Sequence, residues 1–405
     1  MHNPFAALSA PAARDLWLAG LGVNIVRWLE LLAFAILALQ LTGSPLWVAV
    51  MTFARMLPLL TGAFLAALVA RWPKRTVLLW FLASLTVADA LLWLLALAGR
   101  LELWHLIAAA AVGGFAWTVE TPLRRTALAE AAGLERVQAS MGLEVVSNQV
   151  TRILGPAMGG LLLDTIGVIG VFATGTVVHA LAWWLIFRQA MPESAAAIVA
   201  GNVRRSMADG FAYMRRHRLL AGTAMVTIVF NFWGFPYVTL APVIGEVVLG
   251  LSATGIGLVV AAEATGAFLA AFVIIERARP PHFARLFSFG ALLFLLGTLA
   301  FGFAVTPTLA ALVLFTAGIG MAGFNAMQIS LPIAATPPEM RIRVMGIITV
   351  AIGAAPFGFL HAGLMAEWLG AATAQKLIAT EGLLALALVL WRWPELLRKE
   401  APKPL

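Results

Sequence analysis

Thr61-Gly62-Ala63-Phe64-Leu65-Ala66-Ala67-Leu68-Val69 returns as Thr265-Gly266-Ala267-Phe268-Leu269-Ala270-Ala271-Phe272-Val273, 204 residues later. At the same offset Met141-Gly142 meets Met345-Gly346, each pair just after a basic stretch. Alanine- and glycine-rich segments echo one another by chance, but two echoes in one register point to a duplicated unit. Both halves of the first echo are uninterrupted apolar runs. Working outward, such runs recur along the whole chain: 16–40, 46–70, 76–98, 103–121, 137–163, 166–187, 219–245, 252–275, 285–306, 308–331, 342–366 and 371–393. Each has the ~20 residues that a helix needs to cross a hydrocarbon core. About twelve crossings in two copies of six is the architecture this predicts.

Composition agrees. Of 405 residues, 62% are hydrophobic and 11% charged, a balance that a water-soluble surface does not tolerate at this length. The net charge of +8 does not form a nucleic-acid-binding face, because the cations sit in short clusters between apolar runs. Those clusters divide unevenly: 22 Lys and Arg fall in connections on one side, and only Arg100 and Lys376 on the other. By the positive-inside rule both termini are expected in the cytoplasm of a bacterial inner-membrane protein. Arg27 and Glu30 in the first run, without a cleavage site, read as a retained helix and not as a signal peptide. The chain has no cysteine, which excludes disulfides and thiolate metal sites.

Three parts follow: a six-helix bundle over 1–187, a cytoplasmic linker over 188–218, and a second six-helix bundle with a short tail over 219–405. Within the linker Val203, Met207, Phe211 and Met214 recur at helical spacing between arginines. That pattern predicts a basic amphipathic helix on the inner leaflet.

The fifth run carries Gly142, then Gly155-Pro156-Ala157-Met158-Gly159-Gly160. Its spacing resembles the antiporter motif of the major facilitator superfamily, with Thr151 at the position of the middle glycine. Leu41-Thr-Gly-Ser-Pro45, Ala54-Arg-Met-Leu-Pro58 and Thr121-Pro-Leu-Arg-Arg-Thr-Ala127 are similar to its drug and siderophore exporter branch, which includes macrolide-efflux and enterobactin-exporter proteins. The resemblance implies an all-α fold of two pseudo-symmetric six-helix bundles. It also implies proton-coupled efflux of an amphipathic small molecule by alternating access. The partners are then substrate, protons and membrane lipids, with no cofactor or metal, in a monomer. Two departures stand out. Ala70 occupies the place of the superfamily's aspartate before Arg71-Trp-Pro-Lys74-Arg75, so Glu120 or Glu130 would have to supply a latch; and the fourth run lacks the drug exporters' arginine.

A charge at mid-bilayer costs roughly 2.5–3.5 kcal/mol on insertion scales, so every one in a run needs a partner or a task. Asn24, Arg27 and Glu30 follow at intervals of three on one face, where Arg27 can pair with Glu30 along the helix or the three can form a charged stripe lining a central cavity. Glu144, Asn148 and Arg152, spaced by four, make a second polar stripe suited to an ion path. Glu263 is a lone acid in the eighth run and, with Glu30 and Glu144, a candidate for proton coupling. Asp89 and Arg55 read as packing groups. Asn231, Trp233 and Tyr237 around Pro236, with Asn325 and Gln328, combine few polar groups with aromatics, as a cavity for an amphipathic ligand would.

Competing classes are weaker. An embedded enzyme needs clustered catalytic groups, whereas His2, His105, His179, His217, His282 and His361 are scattered and no zinc or nucleophile motif occurs. Import of a small solute, lysolipid transport and a non-transporting sensor remain the other readings of the same fold.

Overall fold

A computed structural model describes residues 8–69, 71–189 and 203–402. The described residues form fifteen α-helices and no strand: α1 (Pro11–Thr42), α2 (Pro45–Met56), α3 (Gly62–Val69), α4 (Lys74–Leu97), α5 (Leu103–Ala132), α6 (Val137–Phe187), α7 (Val203–Arg216), α8 (Arg218–Val229), α9 (Tyr237–Val243), α10 (Ala253–Arg277), α11 (Phe283–Phe301), α12 (Pro307–Ala334), α13 (Pro338–Ile352), α14 (Ala355–Leu369) and α15 (Ala371–Arg392). Among the described residues ten helical stretches are long and apolar enough to cross a membrane. One of them, α6, has 51 residues and would span roughly 76 Å at ~1.5 Å per residue, more than twice the hydrocarbon core. Its backbone leaves the helix at Gly167 (φ 66°, ψ −171°), a conformation open to glycine, so it makes two crossings joined by a sharp turn. The expected boundary between the 137–163 and 166–187 runs falls at this turn.

Other predicted runs are broken where proline removes a backbone donor. The second run is not one helix: a 3₁₀ segment, Leu57–Thr61, containing Pro58, separates α2 from α3. The seventh run passes from α8 into α9 through a wide π turn at Phe230–Gly234 just before Pro236, and widens again at Ile244–Val248. In the linker, 190–202 and the Val203 side chain lie outside the described residues. The described part of the linker is α7, with Phe211 59% exposed and Met214 buried against Leu220, Ala335, Val344 and Ile348.

The contacts group the helices into two compact units. The first takes the described residues up to Gly43, those from Met51 to 189, and Ser252–Gly257. The second takes Ser44–Val50, 203–251 and Leu258 onward. The first unit packs α1 against α4 and the second half of α6 through Leu16, Val23, Leu78, Leu82, Ala182 and Ile186. In the second, Phe230, Phe287, Phe294 and Phe324 stack where the Phe230–Gly234 turn, α11 and α12 meet, with Phe230 and Phe324 ring centres 3.7 Å apart. Outward faces stay apolar: Ile342, Trp391 and Leu384 are among the large hydrophobic side chains left exposed, a surface matched to lipid and not to water.

Candidate functional site

The first unit buries an unusual set of charges for a helix bundle. Arg124 on α5 is 2% exposed and reaches both neighbouring acids: Nε donates to Glu120, while Nη1 and Nη2 hold the two oxygens of Glu144 at 3.1 and 3.0 Å. This two-pronged geometry is the strong form of an arginine–carboxylate pair. It is possible because Gly20 on α1 has no side chain; a Cβ there would stand 1.9 Å from Arg124 Nη1. Arg125 adds a 3.4 Å contact to Glu144. The stripe expected from Glu144 to Arg152 is therefore divided. Glu144 belongs to the arginine network, half-buried Asn148 lies between, and Arg152 stands over the Trp28 ring at 5.8 Å.

The intrahelical pairing of Arg27 with Glu30 does not occur. Arg27 donates to Asn24 at 2.6 Å and to Glu120 and Thr121 at 3.3 Å, whereas Glu30 accepts from Arg55 Nη2 at 3.3 Å. Helix spacing allowed the intrahelical pair, but partners on α5 and α2 approach from the side and satisfy each charge better. Arg55, read from sequence as a packing group, thus lies in the charged cluster. So does Asp89, whose Oδ2 is 2.7 Å from His179 Nδ1. Neither Asp89 nor His179 carried a spacing signal, being 90 residues apart. Glu120 and Arg124 did carry one, since they are one helical turn apart.

The glycine motif faces backbone. A Cβ on Gly155 would lie 2.4 Å from Trp28 Cβ, one on Gly159 would lie 2.8 Å from the Leu29 carbonyl, and one on Gly160 2.1 Å from the Ala253 carbonyl. Pro156 is buried among them. Gly142 meets nothing within 4 Å, and the same holds for its repeat partner Gly346. Of the latch acids, Glu130 bonds Lys74 at 2.5 Å, tying α5 to the start of α4.

The second unit holds its candidates differently. Glu263 is 1% exposed and accepts from the Tyr237 hydroxyl at 3.0 Å. Asn231 turns inward on its own helix, donating to the Thr227 carbonyl at 2.9 Å. Trp233 donates to Glu381 at 2.9 Å, and His361 meets the same carboxylate oxygen at 2.9 Å. Glu381 and His361 were not singled out by sequence. Gln328 is buried and Asn325, one turn before it on α12, is exposed.

Comparison with known proteins fits this geometry. Over 361 residues the chain is 25% identical to the uncharacterized MFS-type transporter YfiS of Bacillus subtilis (strain 168), covering 86% of this chain and 85% of the relative. Among solved structures, a bacterial homolog of the human lysosomal transporter Spinster, inward-facing and unoccupied, superposes with a TM-score of 0.71 at 14% identity, covering 96% of both chains. A D-xylose-proton symporter superposes with a TM-score of 0.71 at 14% identity, covering 95% of this chain and 98% of the other. At such identities the likeness is one of fold. Residues 2–401 match the family described as transmembrane secretion effector, so the chain belongs to that family of major facilitator transporters and is a multi-pass membrane transporter.

Proposed function

We propose that this transporter exports an amphipathic small molecule, of the drug or siderophore kind, across the bacterial inner membrane by alternating access in exchange for protons. In this reading the halves 1–187 and 219–405 are joined by a cytoplasmic segment, 188–218, and both termini are cytoplasmic. Export is supported by the family's description as secretion effectors. The observation that carries proton exchange is Glu30: an acid 5% exposed on a membrane helix, within reach of a second buried carboxyl, Asp89. A pair of neighbouring carboxyls in a dry bundle is costly to keep for packing alone. It is suited to taking up and releasing a proton as its surroundings open and close. Glu263, held by a neutral tyrosine hydroxyl, is the second coupling candidate. Glu144 is the weakest of the three, because Arg124 already neutralises it with two hydrogen bonds.

The test is transport by the purified chain in proteoliposomes with an acidic lumen, using ethidium as an amphipathic probe and an entrapped pH-sensitive dye. Protein-dependent ethidium accumulation accompanied by loss of the gradient is expected. If neither ethidium nor a panel of siderophores, macrolides and lysolipids moves in response to the gradient, the reading is wrong. Uptake confined to sugars and driven only by the reverse gradient, with the exterior acidic, would favour import by proton symport instead.

A further inference from the structure

Four helices bring four side chains to one buried point in the first unit: Glu30 from α1, Arg55 from α2, Asp89 from α4 and His179 from the second half of α6. None is more than 5% exposed. One ligating atom each from Glu30, Asp89 and His179 lies within 4.8 Å of the other two. The bundle makes room for them at Gly175, where a Cβ would stand 2.5 Å from Asp89 Oδ2. Among the described residues the further charges near the cluster are Arg27, one turn away on α1, and Glu120 on α5, which are bonded to each other. Arg55 is underused: Nη2 bonds Glu30 and the Arg27 carbonyl, but its buried Nε and Nη1 have no partner.

Charge counting decides what such a cluster holds. With both carboxyls ionised, Arg55 charged and His179 neutral, it would carry one net negative charge in a low-dielectric interior. Adjacent buried carboxyls do not both ionise without compensation. A single proton brings the cluster to neutrality. A divalent cation, for which the ligand spacing is adequate, would overshoot to a net positive charge beside Arg55. We propose that Glu30, Asp89 and His179, balanced by Arg55, form a store for one transferable proton. The proton moves between a carboxyl oxygen of Glu30, a carboxyl oxygen of Asp89 and His179 Nδ1. When it leaves, the two spare donors of Arg55 turn onto the newly ionised carboxylate. Use of this store in transport rests on the proton-exchange reading; the occupancy of the store does not.

Infrared spectroscopy of the full chain in lipid nanodiscs tests it, reading the carbonyl stretch of buried protonated carboxyls near neutral pH. A Glu263→Gln background removes the carboxyl of the other coupling candidate. One such carboxyl is expected there. It should vanish in Glu30→Gln and equally in Asp89→Asn, since either leaves one carboxylate opposite Arg55. His179→Phe should keep the band and move the pH at which it disappears. Absence of a protonated carboxyl in the Glu263→Gln protein, or a band that survives both Glu30→Gln and Asp89→Asn, overturns the store. Zn²⁺ or Mn²⁺ binding by the wild type that Asp89→Asn abolishes would overturn it in favour of a metal site. If a variant fails to fold, the Glu263→Gln spectrum and the metal titration of the wild type still decide. A band with all these properties in a protein whose transport ignores the pH gradient would leave the store standing and remove the proton-exchange reading. Gradient-driven transport without the band would do the reverse.

Discussion

The two units repeat a sequence motif but spend their interiors differently. Among the described residues the first buries nine charged side chains: Asp15, Arg27, Glu30, Arg55, Lys74, Asp89, Glu120, Arg124 and Glu144; the second buries only Glu263. In place of charge the second has a phenylalanine stack and a neutral hydroxyl on its one buried acid among the described residues. The backbone packing, by contrast, is shared. Gly114 and Gly318, 204 residues apart, each set α5 or α12 directly on a neighbouring backbone, with a Cβ at 2.0 Å from the Arg55 carbonyl and 1.9 Å from the Glu263 carbonyl. Duplication preserved the close helix crossings that small residues allow. It did not preserve the electrostatics, and that asymmetry is what the proposed proton site in the first unit rests on.

The asymmetry is exposed to test in stability. Arg124→Met leaves Glu120 to Arg27 and Glu144 to the half-exposed Arg125, and breaking a buried ionic network from one side costs about 3–5 kcal/mol. Thermal unfolding in detergent should show a large loss, or no folded protein. Glu263→Gln leaves a carbonyl oxygen for Tyr237 to donate to, so its cost should stay within about 1 kcal/mol. Equal losses in the two variants would erase the distinction between the units. The packing side predicts the opposite symmetry: Gly114→Ala and Gly318→Ala should each destabilise by roughly 1–3 kcal/mol, alike within error, because each methyl meets a carbonyl that cannot yield.

Gly159→Leu tests whether the α6 glycine face does more than pack. Its Cβ would already press on the Leu29 carbonyl, so transport should be lost while insertion is retained. The cysteine-free chain allows single cysteines at either mouth to report a shifted conformational balance through an impermeant thiol reagent. Unchanged labelling with wild-type transport would reduce the motif to ordinary helix contact.

The smallest effect lies in the second unit, outside the membrane helices. Partial burial pushes Glu395 up, but Arg218, donating from Nε at 2.5 Å, together with Arg398 holds it below its ordinary value of 4.5. Because the folded state depresses this group, its stabilisation is present above pH ~4.5 and fades as the pH falls through the folded value. The pair is partly exposed and well screened, so Glu395→Gln should remove only a shallow acid limb from the stability profile, well under 1 kcal/mol. A deep one would mean that the charges of this unit matter more than their burial indicates.

Much of the fold could be read from the chain, because bilayer thickness converts directly into run length. The boundary near Gly167 was visible as a short interruption. The 3₁₀ break at Pro58 and the π turns of the seventh run were not, since apolar composition is indifferent to how the backbone is bonded. The site divides by sequence distance. Glu120 and Arg124 are a turn apart on one helix, a spacing that can be read without a structure. Glu30, Arg55, Asp89 and His179 come from four helices, and only the packing of α1, α2, α4 and α6 makes them neighbours. The failed pairing of Arg27 with Glu30 has the same cause: a local rule assigned partners that the third dimension supplied from elsewhere.

The most direct measurement is gradient-driven accumulation of an amphipathic probe in proteoliposomes, run in parallel for the wild type, Glu30→Gln and Glu263→Gln. Accumulation should follow the pH gradient in the wild type. It should fall at least tenfold in Glu30→Gln while exchange of probe at equal pH persists, and Glu263→Gln should be tested beside it as the single buried charge of the other unit. Wild-type accumulation that ignores the gradient, or full gradient-driven accumulation in Glu30→Gln, would contradict a proton site in the first unit.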